Sequence, residues 1–185
     1  MSSKKAVRHV HELNLDLSNV DTFQWLYERH HIAVFRYIYG LRGGPLQDIE
    51  DLTTNTFLKA WRSRRRFKGD QNNALSWLLK IARNLVIDRY RKEKTPGDLL
   101  DIDNQILTND ERPPEDQLYD KETIRILEES LDKLSDLHKD MIVLRYILGW
   151  RVKEIADHLE MKENNVSVTI KRILKRLQEA WPEIE

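Results

Sequence analysis

Near the C-terminal end, polar and basic side chains follow one another at a spacing that suits the reading of DNA. The residues concerned are Asn164, Asn165, Ser167, Val168, Lys171, Arg172, Lys175 and Arg176. Asparagine can pair with adenine, arginine with guanine, and lysine with phosphate. Two interpretations stay open from the spacing alone: a helix that enters the major groove, or a helical hairpin with a solvated basic face.

A second set of cations surrounds a polar loop earlier in the chain. Its members are Arg62, Arg64, Arg65, Arg66 and Lys68 before the loop, and Trp77, Lys80, Arg83 and Arg91 after it. Such a stripe suits single-stranded DNA, because cations meet phosphates while unstacked bases meet a ring and amides. The alternative is a solvated helix face with Trp77 in the core.

Other clusters of chemically active side chains are weaker. Asp48, Glu50 and Asp51 stand where a helix begins, and carboxylates there complement the helix dipole. No histidine completes a metal site beside them, and the pairs His9/His11 and His30/His31 are unconvincing as ligands. Because the sequence has no phosphate-binding glycine loop or nucleophile motif, we expect neither a cofactor, nor a metal, nor an enzyme.

Helical spacing of apolar residues predicts the elements that carry the first set of cations. Asp21 is expected to cap one helix, which Gly43-Gly44-Pro45 ends, and Asp48 to open a second. The stretch 68–73 is typical of a loop. A third helix follows it, and the residues expected to face a core are Leu75, Leu78, Leu79, Ala82, Leu85 and Val86. Because no useful length alternates with period two, no sheet is expected.

The C-terminal residues divide into three helical pieces. The first, at 137–148, is broken by Gly149-Trp150, and a short helix then runs from Val152 to Leu159. After a turn, Asn164 or Asn165 is expected to cap a final helix that reaches about Trp181. A short and a longer basic helix joined by a three-residue turn are typical of a helix-turn-helix.

Charge is distributed in blocks along the 185 residues, although the net charge is zero. Residues 1–92 carry a net charge of +8, residues 93–132 of −9, and residues 133–185 of +1. Different partners are therefore expected for different segments. The absence of cysteine, of an N-terminal apolar run and of a bilayer-length apolar stretch predicts a soluble cytoplasmic protein with no membrane insertion.

Two segments on either side of the acidic block resemble a known family. The stretches DIEDLTTNTFLKAW (48–61) and SWLLKIARNLVIDRYRK (76–92) resemble region 2 of bacterial RNA polymerase sigma factors of the extracytoplasmic-function (ECF) group. The stretch 131–178 resembles their region 4. Together the resemblances cover about residues 20–92 and 125–180, and their order matches the family.

The resemblance implies roles for individual residues. It assigns binding of core polymerase to Asp48, Glu50, Asp51, Leu52, Phe57 and Trp61. It assigns the melted −10 promoter element, with capture of a flipped base by the loop 67–73, to Lys68, Asp70, Asn72, Asn73, Trp77, Lys80, Arg83, Asn84, Asp88 and Arg91. It assigns the −35 element to the final helix, at Asn164, Asn165, Ser167, Val168, Lys171, Arg172 and Lys175.

We therefore expect an all-α protein with a region 2 helical bundle and a region 4 helix-turn-helix. The expected boundaries are a flexible N-terminal extension at 1–20, region 2 at 21–94, an acidic linker at 95–123 and region 4 at 124–185. The partners implied are core RNA polymerase, promoter DNA both double-stranded and melted, and an anti-sigma factor. A stand-alone helix-turn-helix regulator and a helical adaptor that binds no DNA are the alternatives.

Overall fold

The computed structural model describes residues 15–94, 129–131 and 133–180. The described residues form two compact units, one within residues 1–98 and the other within residues 99–185. The described residues are helical with no strand, which confirms the all-α prediction. Residues 1–14, the proposed linker, and the end of the last helix at Trp181-Pro182 lie outside the described residues.

The first unit is a bundle of three helices and one short turn of 3-10 helix. Helix α1 spans Val20–Arg42, α2 spans Leu46–Ser63, the 3-10 turn spans Arg64–Arg66, and α3 spans Gln71–Lys94. All three pairs of long helices pack against one another. Their apolar stripes are buried completely, as at Leu26, Val34, Ile38, Ile49, Ala60, Leu78, Leu79 and Ala82.

Side chains just before each helix decide where it begins, and three predicted starts are wrong by a few residues. Helix α1 is capped by Asn19, whose side chain accepts from the Asp21 backbone N–H at 2.8 Å, so Asp21 lies in the first turn. Helix α2 begins at Leu46 directly after Pro45, before Asp48. Helix α3 begins at Gln71, so the loop is shorter than predicted.

The end of α1 follows the prediction. Gly43 has φ of 62°, and its N–H donates to the Tyr39 carbonyl at 2.8 Å. Glycine adopts this left-handed backbone without the steric cost that a side chain would meet. The chain can therefore reverse within three residues and begin α2.

The second unit is built on a helix-turn-helix. Helix α4 spans Asp136–Ile142 and continues as a π-helical turn, Val143–Ile147; α5 spans Val152–Leu159 and α6 spans Glu163–Ala180. Both α4 and α5 pack on α6. The core between them contains Met141, Leu144, Ile155, Ala156, Val166 and Ile173, each of which is almost completely buried.

Two breaks separate these helices where the sequence predicts them. The Trp150 N–H donates to the Leu144 carbonyl at 2.9 Å, with Gly149 at φ of 70° between them. After α5, Glu160 takes a left-handed backbone with φ of 57°, and the Met161 N–H donates to the Ala156 carbonyl at 2.9 Å. No helix in the described part of the chain is long and apolar enough to cross a membrane.

Candidate nucleic-acid interface

The exposed face of α6 lies opposite its buried stripe. Val166, Ile170 and Ile173 are at most 6% exposed and recur at spacings of four and three residues. Asn164, Val168, Lys171 and Lys175 recur at the same spacings half a turn away, and all four are exposed. A helix of 3.6 residues per turn therefore presents these side chains together on the outer surface.

The structure brings most of the predicted −35 residues to this face. Arg172 and Asn165 are exposed beside it, whereas Ser167 is half-buried at its edge. Asn164 and Asn165 lie inside the first turn rather than at the cap, because α6 begins at Glu163. Lys175 pairs with Glu179 at 3.7 Å. Both of these side chains are mostly exposed, so water screens the pair.

A tight turn fixes how this face is presented. Ala156, on α5, is 1% exposed, and α5 packs against α6. The Arg151 N–H donates to Glu154 Oε2 at 2.6 Å, which satisfies an amide at the start of α5. The short helix is thus hydrogen-bonded at both ends, and α6 packs against it.

In the first unit, α3 carries the second predicted stripe. Trp77, Lys80, Asn84, Asp88 and Arg91 recur at spacings of three and four residues and so share one helix face. The last four are exposed, and Trp77 is half-buried. Arg83 lies beside this stripe and is also half-buried.

The loop before α3 consists of residues 67–70 and is closely packed. The rings of Phe67 and Trp77 have centroids 5.0 Å apart. A Cβ placed on Gly69 would come within 2.9 Å of Phe67 Cζ, so the ring occupies the space above this glycine. Trp77 therefore supports the loop from the α3 side. Because its ring is half-buried, it belongs partly to the core and also leaves part of its surface open for stacking.

Asp70 caps α3 and organises the two asparagines after it. Its Oδ1 accepts from the backbone N–H groups of Asn72 at 2.9 Å and Asn73 at 3.0 Å. The side-chain amides of Asn73 and Asn72 also donate to this carboxylate, at 2.9 Å and 3.2 Å. These bonds, first among them the one from the Asn73 backbone, lower the pKa of Asp70, because they favour the charged carboxylate.

Arg64, one member of the arginine cluster, makes its contacts within the protein. The Arg64 guanidinium carbon lies 3.6 Å from the centre of the Trp61 ring, as in a cation–π contact. Arg64 Nη1 also donates to the Trp61 carbonyl at 2.6 Å. Arg62, Arg65, Arg66 and Lys68 are exposed. Arg64 therefore fixes the turn after α2, and the others present their charges to solvent.

The predicted polymerase-binding residues of α2 divide between surface and core. Glu50 and Asp51 are exposed, and Asp48 is half-buried in an ion pair with Arg42 at 3.3 Å. Leu52 and Phe57, however, are 8% and 5% exposed, so they offer almost no surface to a partner and instead hold α2 in the bundle.

Two further side chains, Trp61 and Leu58, change which part of α2 is exposed for the predicted binding of polymerase. Trp61 is half-buried against Phe23, with ring centroids 4.9 Å apart. Leu58 is 48% exposed and lies on the same face as Asp51 and Thr54. The sequence interpretation missed Leu58, although its spacing of seven residues from Asp51 indicates the shared face.

Two family models match the chain in the order of the two units. The model described as Sigma-70 region 2 matches residues 26–95, and that described as Sigma-70, region 4 matches residues 124–177. Together these ranges cover more than half of the chain. The chain belongs to the sigma-70 family.

Curated relatives place this sigma factor more narrowly. It is 33% identical to the ECF RNA polymerase sigma factor BldN of Streptomyces coelicolor, over 88% of this chain and 61% of BldN. It is 29% identical to the ECF RNA polymerase sigma factor SigX of Bacillus subtilis, over 85% of this chain and 82% of SigX. The prediction of an ECF sigma factor is confirmed, and the stand-alone regulator is not favoured.

Solved structures share the fold of this sigma factor. CnrH, solved with the cytosolic domain of CnrY, is 23% identical with a TM-score of 0.61, over 87% of this chain and 88% of that chain. RpoE of Bartonella quintana, solved with the anti-sigma factor NepR, is 21% identical with a TM-score of 0.63, over 87% and 97%. These likenesses bear on the fold, and the region 2 bundle and region 4 helix-turn-helix are confirmed.

Proposed function

We propose that this protein binds core RNA polymerase and directs promoter recognition, opening of the −10 element and initiation at a specific set of genes. The single observation that supports this most strongly is the pair of family matches, in order, on units that each expose a DNA-suited face. In this role the protein supplies specificity and catalyses no step itself. Its site of action is the cytoplasm, where polymerase meets the chromosome.

The α6 face is proposed to read the −35 element as a duplex. One helix fits the major groove, and residues near its N-terminus reach the base edges. Asn164, Asn165, Ser167 and Val168 occupy that part of α6, while Lys171, Arg172 and Lys175 are exposed farther along. The amides and the valine methyls would distinguish bases, and the cations would hold phosphates.

The loop 67–70, the first turn of α3 and the α3 stripe are proposed to capture melted −10 bases. Lys80, Asn84 and Arg91 provide amide and cationic groups along one exposed line, with Trp77 at its loop end. Single strands are held by such combinations of phosphate contacts and base contacts. Asp88 would serve as an acceptor for base amino groups.

The exposed face of α2 is proposed to dock on polymerase. Glu50, Asp51 and Leu58 provide charge and apolar area on one side of the helix, with Leu52 and Phe57 anchoring it from within. We further propose region 2 at 21–94, region 4 at 124–185 and an acidic linker at 95–123 between them. The linker's negative charge would mimic nucleic acid in a basic passage of the polymerase.

An anti-sigma factor is proposed as a further partner. The sigma factor RpoE of Bartonella quintana was crystallised with the anti-sigma factor NepR, and this chain shares its fold. Such a partner would hold the protein away from polymerase until it is needed.

Run-off transcription with core polymerase, a library of random promoters and this protein as the specificity factor tests the proposal. Enriched transcripts should share two spaced upstream elements. Lys171→Glu should remove the enrichment at the upstream element, since it places a carboxylate against phosphate. Lys133→Glu, the same charge change at an exposed position before α4, should not.

Two other outcomes would point to other functions. DNA binding by the protein alone, with no polymerase-dependent initiation, would indicate a stand-alone regulator. No enrichment with polymerase and no DNA binding by the protein alone, unchanged when the charges of Lys171 and Arg172 are reversed, would indicate a helical adaptor.

A further inference from the structure

The segment 15–19 precedes the first family match and packs on the loop 67–70. The Leu15 N–H donates to the Gly69 carbonyl at 2.9 Å, which joins residues far apart in sequence. Leu17 is 1% exposed, so its side chain is inserted in the bundle. This part of the expected flexible extension is therefore a component of the fold.

The course of this segment is set by its own polar side chains. Asp16 Oδ1 accepts from the Ser18 backbone N–H at 2.9 Å and from Ser18 Oγ at 2.6 Å, which forms a tight turn. Asn19 then caps α1. The segment is thus held by the α1 cap at one end and by Gly69 at the other.

The loop that it contacts is held from two further directions. The ring of Phe67 covers Gly69 and packs against Trp77, and Asp70 binds the first turn of α3 through four hydrogen bonds. The hydrogen bond from the Leu15 N–H to the Gly69 carbonyl is a third contact that fixes the loop. Lys68 and Asn72 on either side of this point remain exposed.

We propose that the segment 15–19 is a positioning segment that sets the loop 67–70 in the conformation that captures the flipped −10 base. The inference rests on the proposed function of that loop. A loop that is already ordered loses little conformational entropy when the base binds. The free energy of binding is therefore more favourable than for a disordered loop. The hydrogen bond from the Leu15 N–H to the Gly69 carbonyl is the contact through which the segment orders the loop.

Four substitutions in the full-length protein separate this role from general stability, three of them at Leu15 and Val20 and the fourth, Gly69→Ala, in the loop itself. Leu15→Pro removes the N–H that Gly69 accepts, whereas Leu15→Val retains it. Val20→Pro is the matched control, because Val20 is 64% exposed at the first position of α1, where proline is tolerated. The preceding Asn19 already has φ of -73° and ψ of 132°, and this extended backbone suits a residue before proline.

Two measurements are made on each variant. The first is amide hydrogen exchange of Asn72 and Asn73 in the free protein. Their backbone N–H groups donate to the loop residue Asp70, so their exchange reports how firmly that end of the loop is held without DNA. The second is binding by the holoenzyme of single-stranded oligonucleotides that carry the −10 sequence recovered by run-off selection, with the captured base changed to each of the other three.

Leu15→Pro should speed exchange at both asparagines and reduce the preference for the captured base about fivefold, as expected for one ordinary hydrogen bond. Discrimination at the other −10 bases and the affinity for core polymerase should not change. Leu15→Val and Val20→Pro should match the wild type. Gly69→Ala should reproduce Leu15→Pro, because its Cβ would displace the Phe67 ring.

Unchanged exchange in Leu15→Pro would overturn the contact, and faster exchange with full base preference would overturn the positioning role. A uniform loss at every −10 base would also overturn it, since that result indicates a merely structural segment. A wild-type holoenzyme that prefers no base, with slow exchange at Asn72 and Asn73, would instead contradict the proposed function of the loop.

Discussion

Asn84 shows how one exposed amide can be assigned to one step of initiation. It lies on the α3 stripe between Lys80 and Asp88. Asn84→Ala should reduce open-complex formation about tenfold, because an amide that pairs with a base edge contributes roughly 1–3 kcal/mol. Binding to core polymerase should be unchanged.

Permanganate reactivity of the melted bases measures the first quantity, and competition for core polymerase measures the second. Gln24→Ala, which truncates an exposed amide on α1, is the control and should affect neither. Equal loss of opening and of polymerase binding in Asn84→Ala would rule out the assignment.

The buried side chain of His30 predicts that the stability of the first unit depends on pH. Its side chain is 8% exposed, and its Nε2 is buried without a hydrogen-bond partner in the described part of the chain. Burial, and then the charge of Arg29, lower the pKa of His30, because both disfavour the protonated ring. The unfolded chain therefore takes up a proton, at a pKa of about 6.5, that the folded state resists.

The free energy of unfolding should consequently fall as the pH drops from about 7 through 6.5 and on through the lowered folded-state pKa. Denaturant titrations at several pH values measure this dependence. His30→Gln should flatten it, while the neighbouring His31→Gln should retain it. An unchanged slope in His30→Gln would contradict the explanation.

At the scale of the helices, the small side chain of Ala156 is expected to set how closely α5 packs on α6. Ala156, on α5, is 1% exposed, and α5 packs on α6. Ala156→Leu should lower the free energy of unfolding of the second unit by about 1–3 kcal/mol, because extra methylenes do not fit a filled interface. It should also weaken binding to −35 duplex, since α6 would no longer project at the same angle.

Thermal unfolding and duplex titration test this expectation. Asp157→Leu introduces the same side chain at the next position, which is exposed. This control should change the free energy of unfolding by about 0.5 kcal/mol at most, as surface substitutions usually do. Full stability in Ala156→Leu would mean that the interface has room.

For the whole molecule, the blocks of charge suggest that the free protein and the holoenzyme differ on DNA. Residues 93–132 carry a net charge of −9, next to a block of +8. Changing Asp101, Asp103, Asp110 and Glu111 to their amides should strengthen binding of non-specific duplex by the free protein severalfold, because acidic residues repel phosphate.

Titrations in low and high salt measure this effect. The gain should disappear at about 1 M salt, where charges are screened beyond about 3 Å. An affinity equal to that of the wild type at low salt would show that the acidic block does not compete with DNA.

The helices of this protein were predictable because the information is local. The apolar positions of α3 recur every three or four residues. This spacing alone separates Leu78, Leu79 and Ala82 inside from Lys80 and Asn84 outside. The helix-turn-helix follows from the same rule applied to α5 and α6.

Helix starts were less predictable, because several polar residues compete for each cap. Asn19 and Asp21 are both suitable caps, as are Asp70 and the asparagines after it. Which residue caps the helix depends on the direction from which the preceding chain enters it. Before α1 that direction is set by the buried side chain of Leu17 and by the hydrogen bond between Leu15 and Gly69.

Contacts between distant residues could be learned only from the folded chain. The resemblance assigns polymerase binding to Leu52 and Phe57, yet they are buried, while Leu58 is exposed. The hold of Leu15 on Gly69 has no sequence signature, since nearly every residue carries the same backbone groups. Periodicity thus determined which residues form helices and most of the outward faces, whereas packing between helices decided which of those side chains are exposed and what holds the loop.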